Sequence, residues 1–265
     1  MKKASVKMGN SEVVNCPEHG PYEARECTLG SKTFRMGCPA CVDQQIAARS
    51  AAVQAEQSRE RGVAAQRLLE RRLAGVMIPA RFANKSFETY VVTLPEQKFA
   101  LAEVRAYADG FEGALASGRC LLLLGPSGTG KTHLATSVAN QIVRQGYTAL
   151  FRTVQEVIRH VRSSWGRSEK TEAEAIAELV APDLLILDEV GVQYGKAGEL
   201  VTLFDVMNAR YSACKPCIVI SNLSLAELPD FLDERVVDRL REAGGQAIPF
   251  DWESARKQRG EPHGS

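Results

Sequence analysis

The chain has 265 residues, of which 45% are apolar and 25% charged, and its net charge is +1. That length suits one domain of about 150–200 residues plus a smaller appendage. The near-zero charge excludes a bulk electrostatic pull on nucleic acid, so any such contact needs a local patch or several subunits sharing a channel.

No stretch approaches the ~20 apolar residues of a membrane span. The basic start Met1-Lys2-Lys3 leads into no apolar run of the secretory kind, so a cytoplasmic location and no membrane partner are expected. In that compartment seven cysteines are better metal ligands than disulfide partners.

Residues 1–43 carry four of those cysteines among many turn formers and are expected to form a small module. Cys16-Pro17-Glu18-His19 and Cys38-Pro39-Ala40-Cys41 are tight turns, 18 residues apart, that each aim two ligands at one point. Three thiolates and an imidazole suit tetrahedral zinc, and a segment this poor in core residues gains much from such a cross-link. Cys27 is an alternative fourth ligand in place of His19. Residues 44–78 read as a helix rich in Ala, Gln, Glu and Arg, with a short apolar stripe of Leu68, Leu69, Leu73 and Val76 near its end. Six arginines oppose three glutamates there (Arg49, Arg59, Arg61, Arg67, Arg71 and Arg72 against Glu56, Glu60 and Glu70), and Pro79 stops the helix. It is either a solvated linker or a partner- or DNA-facing element.

Residues 79–265 read as an α/β domain. Apolar strand runs at Leu121–Leu124, Thr148–Thr153, Leu184–Leu187, Cys217–Ser221 and Gln246–Phe250 alternate with helices at Thr132–Gln145, Gln155–Trp165, Glu172–Ala181, Gly198–Ser212 and Glu234–Glu242. Such alternation implies a parallel sheet covered by helices on both faces.

Gly125-Pro126-Ser127-Gly128-Thr129-Gly130-Lys131-Thr132 satisfies G-x-x-x-x-G-K-[ST] between a strand and a helix. The glycines let backbone N–H groups turn inward around phosphates, and the helix N-terminus adds partial positive charge. Lys131 is expected on the β- and γ-phosphates of ATP and Thr132 on Mg2+. His133 sits just inside the helix, where packing is its default role. Asp188 and Glu189 emerge from the strand Leu184–Leu187; Asp188 is expected to hold Mg2+ and Glu189 to activate the attacking water. Asn222 ends the strand Cys217–Ser221 and would reach the same water if that strand adjoins the phosphate-loop strand. Arg235 and Arg239, four apart on one helix face, either pair locally or reach a neighbouring subunit's γ-phosphate. Cys214-Lys215-Pro216-Cys217 has no second ligand pair nearby and reads as structural, as does Cys120.

On Gly125–His133, Asp183–Val192, Ser221-Asn222, Glu234–Arg241 and Phe250-Asp251-Trp252-Glu253-Ser254-Ala255-Arg256, the chain resembles the DnaC-type replicative helicase loaders of the AAA+ class. Ile78–Phe82 with Ser86-Phe87 looks like that family's lead into its ATPase domain, and the likeness spans roughly residues 78–258. The cysteine module looks like the front end of some phage-type members. The resemblance implies that Asn222 is the sensor-1 residue, Arg239 the arginine finger and Arg256 the sensor-2 arginine. It implies weak ATP hydrolysis, ATP-regulated self-assembly, and delivery of a DnaB-type hexameric helicase onto single-stranded DNA. The IstB-type transposition helpers share most of these motifs, and a nucleotide-gated DNA-binding adaptor with little turnover is the alternative from another class.

Overall fold

The structure is a computed structural model and describes residues 6–165, 170–191 and 197–254. It divides into two compact units, Met1–Arg67 and Leu68–Ser265.

In the first unit, β1 (Val6–Cys16), β2 (Gly20–Leu29) and β3 (Lys32–Arg35) form an antiparallel sheet in chain order. The two hairpin turns depend on Gly20 and Gly30, at φ +80° and +62°, which a side chain would strain. Strands had not been expected in this cysteine-bearing segment. Helix α1 (Pro39–Gly75) is 37 residues long, starts earlier than the expected residue 44, and belongs to the second unit from Leu68 onward. Within the second unit its half-buried Leu69 and Leu73 and its buried neighbour Val76 join the core.

The second unit continues with α2 (Pro95–Asp109), α3 (Phe111–Ser117), β4 (Leu121–Leu124), α4 (Lys131–Gln145), β5 (Ala149–Thr153), α5 (Val154–Arg162), α6 (Glu172–Val180), β6 (Leu184–Val190), α7 (Ala197–Ser212), β7 (Cys217–Ser221), α8 (Pro229–Leu232), α9 (Glu234–Arg241) and β8 (Gln246–Pro249). The five strands make one parallel sheet in the order β5-β6-β7-β4-β8. Leu121, Leu123, Ile186, Ile218 and Ile248 point into one core layer with α2 and α4. Leu122, Leu185, Leu187 and Val219 point into the other, with α5, α7 and α9. The period of two sends alternate strand residues to opposite layers, so a strand such as Leu-Leu-Leu-Leu is apolar throughout. No helix among the described residues is long and apolar enough to cross a membrane.

Strand order matters for chemistry because β7 lies between β4 and β6. The C-terminal ends of the three strands that carry the phosphate loop, Asn222 and the Asp188-Glu189 pair therefore lie side by side, where open α/β sheets bind ligands.

Candidate nucleotide and metal sites

The phosphate loop leaves β4 at Gly125 and enters α4 at Lys131. Gly125, Gly128 and Gly130 have φ of +134°, +84° and +99°. At two of them a side chain is also excluded by contact. A Cβ on Gly125 would stand 2.7 Å from the Phe250 carbonyl oxygen, and one on Gly130 would stand 2.7 Å from the Tyr90 ring. Lys131 is buried, and its Nζ donates to the carbonyls of Gly125 and Pro126 at 2.5 and 2.6 Å. The ammonium thus faces the inside of its own loop, where phosphate oxygens would replace those carbonyls.

Thr132 Oγ1 donates to Asp188 Oδ2 at 3.0 Å. Two cis ligands of an octahedral Mg2+ at about 2.1 Å stand about 3.0 Å apart, so this oxygen pair fits that ion. Burial pushes the Asp188 carboxyl above its ordinary value, opposed by the Glu189 N–H, Thr132 and Lys131. The partners of the charged form are those a carboxylate needs when held out of water.

Glu189 stands where the β6 ladder breaks. Leu187 pairs with Val219 and Val190 with Ser221, so Asp188 and Glu189 together oppose Ile220. This bulge puts Glu189 at φ +62°, unusual for a residue with a side chain, and leaves it exposed. Ser221 Oγ closes the bulge by donating to the Val190 carbonyl at 2.6 Å. Burial, then Asp188, then Glu156 raise the Glu189 carboxyl, the direction a general base requires.

Asn222 follows Ser221, whose carbonyl accepts from the Gly125 N–H at 3.2 Å. The exposed amide is therefore one residue beyond a direct link to the phosphate loop. The imidazole of His133 is occupied elsewhere. Its Nε2 lies 2.9 Å from the Ser86 carbonyl and 3.1 Å from Thr89 Oγ1, with Tyr90 edge-on to the ring. The side chain secures the segment before α2, as Asn140 does through the carbonyls of Ala83 and Lys85.

Arg239 and Arg235 differ. The Arg239 guanidinium donates to Asn208 Oδ1 and lies over the rings of Phe204 and Tyr211. Arg235 is exposed on the same helix, and its side chain has no partner among the described residues. Arg256 lies outside the described residues.

Two further residues at the phosphate loop escaped the reading from sequence. Tyr90 Oη and Trp252 Nε1 both donate to the Thr129 carbonyl, at 3.3 and 3.1 Å. Burial pushes the Tyr90 hydroxyl up to about 12, so it stays a donor. Tyr90 precedes α2 and Trp252 follows β8, so the loop is pinned from both sides of the chain. Only the Trp-x-x-x-Arg pattern hinted at Trp252, and nothing in the sequence hinted at Tyr90.

In the first unit, Cys16 and His19 lie at the β1–β2 turn, Cys38 precedes α1 and Cys41 is in its first turn. Their four ligand atoms all lie within 4.8 Å of one another. Cys16 Sγ is 3.5 Å from Cys41 Sγ, and His19 Nδ1 is 3.7 and 3.3 Å from those two sulfurs. Ligands of a tetrahedral zinc stand about 3.5–3.8 Å apart, so three thiols and one imidazole nitrogen fit that ion in kind and spacing. The Glu18 backbone N–H, then His19, lower the Cys16 thiol to about 6, and the shared contact with Cys16 raises Cys41 to about 12. Gln44 Nε2 lies 3.2 Å from His19 Nε2. With the amide turned so that its oxygen accepts from Nε2–H, it fixes the tautomer whose Nδ1 can ligate. Cys27 is not in the cluster: its buried thiol faces Met8 Sδ at 3.6 Å across the β1–β2 ladder.

A five-stranded parallel sheet in this order, with a phosphate loop on β4 and paired carboxylates on β6, defines a P-loop nucleotide-binding protein of the AAA+ class. A model of the family described as IstB-like ATP binding protein matches residues 52–260. The replicative helicase loader DnaC of Escherichia coli (strain K12) is 32% identical over 215 residues, 81% of this chain and 84% of that protein. DnaC of Buchnera aphidicola subsp. Baizongia pistaciae (strain Bp) is 32% identical over 67% of this chain and 71% of its own length. Among solved structures, the DnaC helicase loader aligns with a TM-score of 0.56 at 23% identity, over 64% of this chain and 99% of that one. DnaI aligns with the same TM-score at 18% identity, over 69% and 98%, which bears on the fold alone. The chain belongs to the IstB-like ATP-binding protein family and is a DnaC-type member of it.

Proposed function

We propose that this chain is an ATP-hydrolysing loader that binds a replicative hexameric helicase and delivers it onto single-stranded DNA in the bacterial cytoplasm. The observation that carries this reading is the site at the sheet edge in a chain 32% identical to helicase loaders. There Lys131 faces into its loop, Thr132 and Asp188 converge, and Glu189 is raised out of the strand by a bulge.

In this reading the phosphate loop and Lys131 bind the phosphates of ATP or ADP, and Thr132 and Asp188 hold Mg2+. The ion, when bound, neutralises charge on the phosphate oxygens. Glu189 takes the proton of the attacking water, and Asn222 orients that water from the neighbouring strand. Arg239, or Arg235 one turn earlier, completes the site of an adjacent subunit, and Arg256 acts from the same subunit. Cys16, His19, Cys38 and Cys41 hold one zinc and unite residues 1–43. With the segment 44–78, which carries most of α1, they form the helicase-facing part, and residues 79–265 are the ATPase domain.

The test is to incubate the chain and ATP with its host's replicative helicase and measure helicase transferred to a single-stranded circle. Transfer that requires ATP and intact Lys131 supports the reading. The match to the IstB-like family model favours a second reading, a helper ATPase of transposition. Binding to the host's transposase, with no binding to its helicase, would choose that one.

A further inference from the structure

Behind the sheet, at the opposite end of β4 and β7 from the phosphate loop, lies a cavity of about 470 Å³ walled by α3, α7 and α9. Three cysteines line it: Cys120, which leads into β4, and Cys217, which opens β7, both buried in its floor, and exposed Cys214 at its surface. Beside them is Arg210, the largest fully buried side chain of the described residues. Its guanidinium donates to the carbonyls of Leu179, Val180, Pro182, Asp183 and Pro216 at 2.7–3.3 Å, and Nε donates to Cys217 Sγ at 3.2 Å. Among the described residues no carboxylate bonds to it; that of Asp183 is taken by Lys215 at 2.7 Å. A buried cation whose bonded partners are otherwise backbone carbonyls favours an anion at its one titratable partner.

The two inner thiols are bonded asymmetrically. Cys120 S–H has an acceptor, the Gly118 carbonyl at 3.4 Å, and its sulfur accepts from the Cys217 N–H at 3.2 Å. A Cys217 proton would have to reach the Lys215 carbonyl, 4.0 Å away, whereas a strong donor, Arg210 Nε, stands at 3.2 Å. Cys120 is arranged as a thiol and Cys217 as a thiolate. The contact between the two thiols, and then Arg210, lower Cys217 against burial, and the same contact raises Cys120; the charge is assigned to Cys217 by the Arg210 bond.

We propose that this cavity is a thiol-exchange site, in which Cys217 is the nucleophile toward low-molecular-weight disulfides and Cys120 the resolving thiol. The Cys217 thiolate attacks one sulfur of the small disulfide, forming a mixed disulfide and releasing one small thiolate. Cys120 then loses its proton to that thiolate and attacks the Cys217 sulfur. The second small thiolate leaves, and a Cys120–Cys217 disulfide remains. Leu121 pairs with Ile218, so Cys120 and Cys217 are the preceding neighbours on adjacent parallel strands. Strand neighbours about 4.8 Å apart fall within the Cα separations a disulfide spans. The bond would tie the strand of the phosphate loop to the strand of Asn222. Arg239, on the wall of the same cavity, would stand beside the mixed disulfide.

The experiment uses the full chain with zinc present and reads each cysteine by peptide mapping. First, iodoacetamide labelling is followed between pH 6.5 and 8.5. Cys217 should label at a nearly constant rate, while free glutathione, labelled in parallel as a reference thiol, should react several-fold faster with each pH unit. Next, oxidised glutathione is added. The native chain should yield the Cys120–Cys217 disulfide, Cys120→Ser should stop at a glutathione adduct on Cys217, and Cys217→Ser should leave Cys120 free. A Cys217 that labels with the pH dependence of free glutathione, or that stays unmodified by both reagents, overturns the proposal. Circular dichroism of both variants identifies any loss of folding, and the labelling of the native chain does not depend on them.

Discussion

The Thr129 carbonyl offers a quantitative test of how the phosphate loop is held. It is buried and receives two side-chain donors, Tyr90 Oη at 3.3 Å and Trp252 Nε1 at 3.1 Å. Tyr90→Phe removes one donor and leaves the carbonyl satisfied, so it should cost about 0.5–1 kcal/mol. If the lost order falls on the ATP-binding conformation, the Kd for MgATP rises about two- to fivefold. Trp252→Phe removes the other donor and some packing against Phe250, whose ring centroid lies 4.8 Å away. Only the double variant leaves the buried carbonyl without a partner, a state that costs about 1–3 kcal/mol. The double variant should therefore lose at least about 0.5 kcal/mol more than the two single losses together. Calorimetric titration with MgATP gives the binding cycle, and urea unfolding followed by circular dichroism gives the stability cycle. Additivity within about 0.3 kcal/mol in both would refute a shared role at Thr129.

Lys131→Ala should abolish measurable ATP binding by calorimetry while the thermal melt of the domain survives. Glu189→Gln should bind ATP with near-native affinity and hydrolyse it about 100-fold more slowly or worse. Because burial and Asp188 raise the Glu189 carboxyl, turnover of the native chain should begin to fall on acidification above the ordinary glutamate range, as the base gains its proton; a rate flat down to that range would contradict the role. Metal analysis should find one zinc per chain, lost in Cys38→Ser with loosening of residues 1–43 and no change in ATP affinity, whereas Cys27→Ser should keep it. Arg239→Ala and Arg235→Ala should each bind ATP normally; the one that loses ATP-dependent assembly and hydrolysis, and regains turnover when mixed with Lys131→Ala subunits, is the residue acting in trans.

Most of the five-stranded sheet was legible because its signals are local. Four consecutive apolar residues closed by a glycine loop, or by two carboxylates, leave little choice but a buried strand ending at a ligand. The cysteine pairs were legible for the same reason, since each brings two ligands together locally, one at the β1–β2 turn and one at the start of α1. The antiparallel strands of residues 6–35 were hidden because one sheet face has little core to bury, and Met8, Val13, Leu29 and Phe34 are all exposed. Helix α2 carried a readable period in Ala100, Val104, Tyr107 and Ala108, with Pro95 in its first turn, but lay outside every motif that drew attention. The bulge at Asp188-Glu189 was not legible at all. It arises from the pairing of β6 with β7, a tertiary event, and it is what gives the two adjacent carboxylates different surroundings. Tyr90 and Trp252 were hidden in the same way, since 162 residues of chain separate two donors that share one acceptor.

Those tertiary contacts show how nucleotide occupancy can reach beyond its pocket. The loop residues that would surround phosphate touch both flanks of the second unit: Gly130 lies against Tyr90, Gly125 against the Phe250 carbonyl, and Thr129 accepts from Tyr90 and Trp252. On one side, the Ser86–Tyr90 turn is tied to α4 through His133. Upstream of it, the end of α1 is tied to β5, where the Phe151 N–H donates to the Val76 carbonyl at 2.8 Å. On the other side, Trp252 directly precedes the stretch that carries Arg256. A phosphate that displaces Lys131 from the Gly125 and Pro126 carbonyls acts inside a loop whose Thr129 carbonyl is bonded to both flanks. Close-packed interiors transmit such displacements instead of absorbing them. Coupling between the site and the rest of the molecule therefore needs no separate relay, because the aromatic side chains that hold the loop in place belong to the segments that would move.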